Sequence, residues 1–161
     1  HNRVSKERIS FGQDGRTTVM LRNIPNEMDW MALNRLLDIH CSGVYDFLYL
    51  PIHFATSLNV GYAFINFMNA TSILGMIDHI EHRPWKGYHS AKVAEISYAT
   101  IQGKEALIRN FRNSSVMMLP PFCRPRLFLS FADAEIYGDV SLIGQETQFP
   151  QPNNTAKLQR S

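Results

Sequence analysis

Apolar residues along this chain fall into short runs of two kinds, alternating and helically spaced, and the kinds follow one another in a definite order. Val19 to Ile24 alternates and predicts a first strand, broken by Pro25-Asn26. Met31, Leu33, Leu36, Leu37 and His40 lie near helical spacing, with Asn26 or Asp29 available as N-cap and Ser42-Gly43 as the stop. Val44 to Leu50 predicts a second strand, ended by Pro51, and a loop from Ile52 to Leu58 leads into a third at Val60 to Phe67. Asn69 or Thr71 can cap a second helix with Ile73, Leu74, Ile77 and Ile80 on its stripe. A turn-rich Arg83-Pro84-Trp85-Lys86-Gly87 segment precedes a fourth strand, Lys92 to Tyr98. The order β-α-β-β-α-β is that of an α+β, ferredoxin-like domain over residues 18–100: a four-stranded antiparallel sheet with both helices on one face. The opposite face is left free.

The flanks have a different character. Residues 1–17 are polar, with Gly12 and Gly15, and predict a flexible lead-in. A further helix over 101–113, apolar at Ile101, Ala106, Leu107 and Phe111 and basic at Lys104, Arg109 and Arg112, opens an extension, residues 101–143, expected to pack on the domain. Arg126 to Phe131 predicts an added strand or a packed extension. From 144 to 161 the composition turns to Gln, Pro, Asn and Thr and predicts a disordered tail.

The third strand carries chemistry. In Val60-Gly61-Tyr62-Ala63-Phe64-Ile65-Asn66-Phe67, alternation puts Tyr62, Phe64 and Asn66 on one face and Ala63, Ile65 and Phe67 on the other. The second set is a core face. Taken alone, the octapeptide fits a strand buried on both sides as well as a platform for stacking unpaired bases. From its second position onward it follows the RNP1 pattern of RNA-recognition motifs. Val19-Met20-Leu21-Arg22-Asn23-Ile24 matches the partner RNP2 pattern, with Met20 where an aromatic is usual. The pair, at this separation, decides for the platform.

Strand parity then nominates further contacts on the free face: Met20 and Arg22 on the first strand, Asp46 and Leu48 on the second, Glu95 and Ser97 on the fourth. Arg22 can stack on a base or bind phosphate, or instead pair with Glu95 across the sheet. Gln102 and Lys104 lie where bound RNA would leave the fourth strand, and Arg109 adds a cation from the basic helix. The alternative is that this helix folds over the sheet and blocks it.

Composition narrows the class further. A chain of 161 residues, 45% hydrophobic, suffices for one core. The net charge of +2 says little, but residues 101–130 hold five basic side chains, Lys104, Arg109, Arg112, Arg124 and Arg126, against Glu105 alone. A solvated helix face and a phosphate-binding patch both account for that excess. Cys41 and Cys123 have no metal-ligand spacing and suggest neither a zinc site nor a disulfide framework, so a reducing intracellular setting is expected. No run has the length of a membrane helix, and no secretory signal stands at the start. The first residue is His1, so a fragment of a longer protein is expected. His40, His53, His79, His82 and His89 form no catalytic or metal pattern. No nucleophile-base pair is visible, and neither an enzyme nor a cofactor is expected.

Beyond the two motifs, the run from Lys92 through Tyr98-Ala99-Thr100-Ile101-Gln102-Gly103-Lys104 to Leu107 is similar to the C-terminal RNA-recognition motif of the Mei-two-like meiotic regulators of fungi and plants. Thr18 to Asn26, Arg83-Pro84-Trp85, Phe111 to Ser115 and Cys123-Arg124-Pro125 resemble it too, so the likeness covers roughly residues 17–130. The resemblance implies single-stranded RNA binding in a regulator of meiosis, with a meiosis-specific non-coding RNA as partner and a protein shuttling between nucleus and cytoplasm. A competing expectation is a protein-binding version of the fold, in which Arg83 and Trp85 capture a partner peptide from the loop before the fourth strand. A monomer is expected in either case.

Overall fold

The structure, a computed structural model, describes residues 1–154. The predicted central order holds. It consists of β1 (Thr18–Arg22), α2 (Trp30–Cys41), β2 (Tyr45–Tyr49), β5 (Tyr62–Phe67), α3 (Leu74–His79) and β6 (Glu95–Tyr98). A short helix α1 (Lys6–Ser10) comes before it, and a hairpin of β3 (Ile52–His53) and β4 (Leu58–Asn59) sits in the loop after β2. Beyond it lie α4 (Lys104–Phe111), β7 (Arg126–Phe128), α5 (Phe131–Tyr137) and β8 (Glu146–Thr147). The main sheet runs β6-β1-β5-β2-β7-β8, so the motif strands β1 and β5 are central neighbours and the extension lengthens the sheet past β2.

Each element forms for a legible reason. Asp29 caps α2 by accepting the Ala32 N–H at 2.8 Å, and Asn69 does the same for Ser72 at 3.0 Å before α3. Leu33, Leu37 and Cys41, four residues apart, form the buried stripe of α2, whereas Met31 points out. Val19, Leu21, Ala63, Ile65 and Phe67 meet that stripe and complete the main core. Gly75 lets α3 approach α2 closely: a Cβ there would stand 2.9 Å from the His40 carbonyl oxygen. Gly43, at φ +77°, turns the chain into β2 and leaves room for the Phe131 ring, which would otherwise be 2.5 Å from its Cβ.

Both flanks are more ordered than their composition predicts. In the lead-in, Ile9 is 1% exposed in the main core, Lys6 pairs with Asp78 at 2.7 Å, and Asp14 holds Arg16 at 2.8 Å. The Arg16 guanidinium covers the Tyr98 ring at 3.9 Å, and Arg3 bridges Ser97 on the outer edge of β6. At the other end, the expected disordered tail carries β8, and Phe149 packs into a second hydrophobic cluster. Asn113 Oδ1 accepts the N–H groups of Asn153 and Asn154 at 2.9 Å each. A few well-placed contacts order these polar stretches, and composition does not register them. Residues 155–161 of the predicted tail lie outside the described residues.

Candidate nucleic-acid interface

On the sheet face away from α2 and α3, the register sets Met20 beside Phe64 and Arg22 beside Tyr62. On the far side of β1, Ser97 stands opposite Met20 and Glu95 opposite Arg22. Tyr62 is 36% exposed and Phe64 half-buried, with ring centroids 5.6 Å apart, edge to face. Two aromatic faces thus sit side by side on a central strand, the arrangement that stacks splayed bases. The Arg22 side chain is exposed and has no hydrogen-bond or ion-pair partner among the described residues. The expected alternative for it does not occur, because Glu95 faces the His82 imidazole at 3.2 Å instead. Beside Tyr62 the strand ends open into a polar cleft of about 620 Å³ lined by Arg22, Asn23, Asn26, His89 and Lys92.

β2 departs from the predicted parity. Tyr45 pairs with Phe67 and Phe47 with Asn66, so Asp46 is an extra, bulged residue. Past the bulge every side chain changes face. Leu48, predicted on the free face, is therefore 1% exposed in the main core, and Phe47 and Tyr49 take the positions nearest the platform. The Tyr49 ring lies 6.4 Å from Phe64, continuing the aromatic row across the sheet. Sequence reasoning missed Tyr49, although aromatics at alternate positions 47 and 49 beside an aromatic strand were a usable signal.

The extension roofs half of this face. Leu107, Ile108 and Phe111 of α4 lie on Phe47, Tyr49, Phe64 and Leu127, with Phe111 5.9 Å from Phe47 and 5.0 Å from Tyr49. The covering helix thus takes the β2 side, comes over Phe64 to the edge of Met20, and leaves Tyr62 and the rest of the β1–β6 half accessible.

Four further candidates anchor that roof and are not free to bind. Asn66 is 3% exposed: its Nδ2 donates to Asp46 at 2.8 Å, and its Oδ1 accepts from the Thr17 and Thr18 hydroxyls at 2.8 and 2.7 Å. Asp46 is 6% exposed, and burial pushes its carboxyl up to about 6, against the lowering effects of the Asn66 bond and nearby Lys104. Gln102 spends its whole amide on backbone: Oε1 accepts from Thr17 and Thr18 N–H, and Nε2 donates to the Thr18 and Ala99 carbonyls. Lys104 is half-buried and pairs with Asp133 at 3.4 Å. The Thr18 hydroxyl accepts from the Gly103 N–H at 2.8 Å, so one polar chain runs from the bulge to the start of α4. Arg109 stays exposed, and Arg112 donates twice to the Gln151 carbonyl, at 3.0 and 2.6 Å. Of the residues nominated from the sequence, Met20, Arg22, Tyr62, Phe64, Glu95, Ser97 and Arg109 remain at least partly at the surface. The peptide-capture expectation loses its ring, because Trp85 is 5% exposed within the main core.

Comparison with known proteins places this geometry. The family model described as RNA recognition motif 2 matches residues 16–112. The meiosis protein mei2 of Schizosaccharomyces pombe is 44% identical over 99% of this chain, which covers 20% of that protein. MEI2-like protein 1 of Arabidopsis thaliana is 43% identical over 92% of the chain, covering 15% of that protein, and MEI2-like protein 3 of Oryza sativa is 41% identical over 92%, also covering 15%. The chain thus spans a fifth or less of the length of these relatives. Among solved structures, the Rna15 RNA recognition motif with bound GU RNA aligns at a TM-score of 0.47 and 17% identity, over 58% of this chain and 93% of that one.

Proposed function

The chain belongs to the Mei2-like family of meiotic regulators and carries its RNA recognition motif, and from that premise we propose that it binds single-stranded RNA on the open half of its sheet. Tyr62 and Phe64 stack bases, and their placement side by side on the central strand β5, Tyr62 exposed and Phe64 half-buried, is the observation that carries the reading. Each stacked base contributes about 1–3 kcal/mol, so the two rings together supply about 2–6 kcal/mol, and further contacts are needed to bring binding to the micromolar range. Arg22 meets a phosphate or a third base, and Arg109 a phosphate further along α4. Glu95 and Ser97 accept hydrogen bonds from base amino groups, the class of contact that distinguishes bases. Family membership favours a meiosis-specific non-coding RNA as the natural partner, and a protein moving between nucleus and cytoplasm.

Chemical-shift mapping with single-stranded RNA octamers (U8, C8 and A8) tests the placement. Resonances of Met20, Arg22, Tyr62, Phe64, Glu95 and Ser97 are expected to move, while Leu33 of α2 and Ile73 just before α3, both buried on the opposite side of the sheet, stay fixed. Shifts centred on α2 and α3 would overturn it.

A further inference from the structure

The open platform ends at a wall. Where β1 and β5 pass under the extension, Met20 and Phe64 form the floor of an apolar cavity of about 230 Å³, and Ile101, Leu107 and Phe111 form its side and roof. Thr100, exposed, lies at the rim. We propose that this cavity takes one unpaired RNA base, held between the sheet and α4 rather than laid on an open surface. The proposal rests on the RNA-binding reading given above.

Three observations commit the cavity to a base. It is continuous with the stacking platform, because Phe64 belongs to both and touches Tyr62 on one side. Its lining is mainly apolar, and the main-chain groups of Thr100 and Ile101, which border it, make no hydrogen bond among the described residues. An apolar slot bordered by residues with unbonded N–H and C=O groups suits a ring with a polar edge, since an unmatched buried edge would be costly. Finally, the roof is fixed. Gln102 and Gly103 pin the start of α4 to β1, Lys104 ties it to α5, and Arg112 and Asn113 clasp the tail beyond its end.

The fixed roof also explains the one departure from the RNP2 pattern. An aromatic ring at position 20 stacks a base well on an open sheet, but under α4 it would occupy the space the base needs. A methionine is slender and adaptable and leaves that space while lining it with a polarizable sulfur.

This gives the two arrangements opposite signs for one substitution. On an open platform, Met20→Phe restores a stacking ring and tightens RNA binding. In the roofed cavity it fills the slot and weakens binding, by about tenfold for one lost stacked base. Fluorescence anisotropy with labelled U8, C8 and A8 on the wild type, Met20→Phe and Tyr62→Ala/Phe64→Ala reads both. Weaker binding by Met20→Phe, with a folded amide spectrum, supports the cavity. Equal or tighter binding overturns it while leaving the platform intact. Equal binding by the Tyr62/Phe64 variant instead removes the RNA-binding reading and the cavity with it. A second readout uses only wild type: the Met20, Ile101 and Leu107 methyl resonances should shift together on RNA addition. Movement of Met20 without Ile101 and Leu107 would put the base on the open sheet and overturn the proposal.

Discussion

Asp46 shows how much a single residue can mislead when parity is counted along a strand. Its carboxylate was expected to face RNA, yet it sits at a bulge, buried against Asn66 and near Lys104. Burial raises its pKa to about 6, which makes its ionised form a liability in the folded state. The sign follows directly. Below about pH 4 the group is protonated in both the folded and the unfolded chain, and its environment costs nothing. As pH rises towards 6 the unfolded chain has released the proton and the folded one still holds it, so stability falls through that window. Asp46→Asn keeps an acceptor for Asn66 and removes the charge. It should therefore match wild type near pH 4 and exceed it by about 1–3 kcal/mol at pH 7.5, as read by urea denaturation across the range. A wild-type stability profile that Asp46→Asn leaves unaltered would mean the carboxylate is solvated, not buried.

At the scale of elements, strands and helices were legible because their apolar spacing is regular, and the same regularity hid the bulge. Tyr45 through Tyr49 alternates acceptably in either frame, and nothing local marks Asp46 as the inserted residue. The shift is fixed by what packs above: Phe47 and Tyr49 bury more apolar surface against Leu107 and Phe111 than Asp46 and Leu48 would. Gln102 hid its role for a related reason. A polar residue after the last strand suits an exposed contact, and only the tertiary structure shows its amide bridging β1 to α4. Gln102→Ala strands the Thr17 and Thr18 N–H groups and should cost about 2–4 kcal/mol in denaturant melts. A loss below about 0.5 kcal/mol would mean that water satisfies those groups and that the pin is dispensable. The aromatic pair on β5 was legible because its motif is local, whereas the roof depends on residues some forty to sixty positions further along the chain and leaves no periodic trace.

For the whole molecule, the extension does two things at once. It removes the β2 half of the sheet from solvent and makes the remaining half a bounded track, running from the polar cleft beside Tyr62, over Phe64, to the wall of α4. On the proposed function, such a track would favour a short single strand, since a duplex presents no free base faces to it. The most direct test is an anisotropy titration of single-stranded U8, C8 and A8 against wild type and Tyr62→Ala/Phe64→Ala, with folding checked by circular dichroism. Loss of two stacking rings predicts binding weaker by about thirtyfold or more for the octamer that wild type binds best. Undiminished binding by the double variant would contradict the account, because RNA would then be held somewhere other than the open half of the sheet.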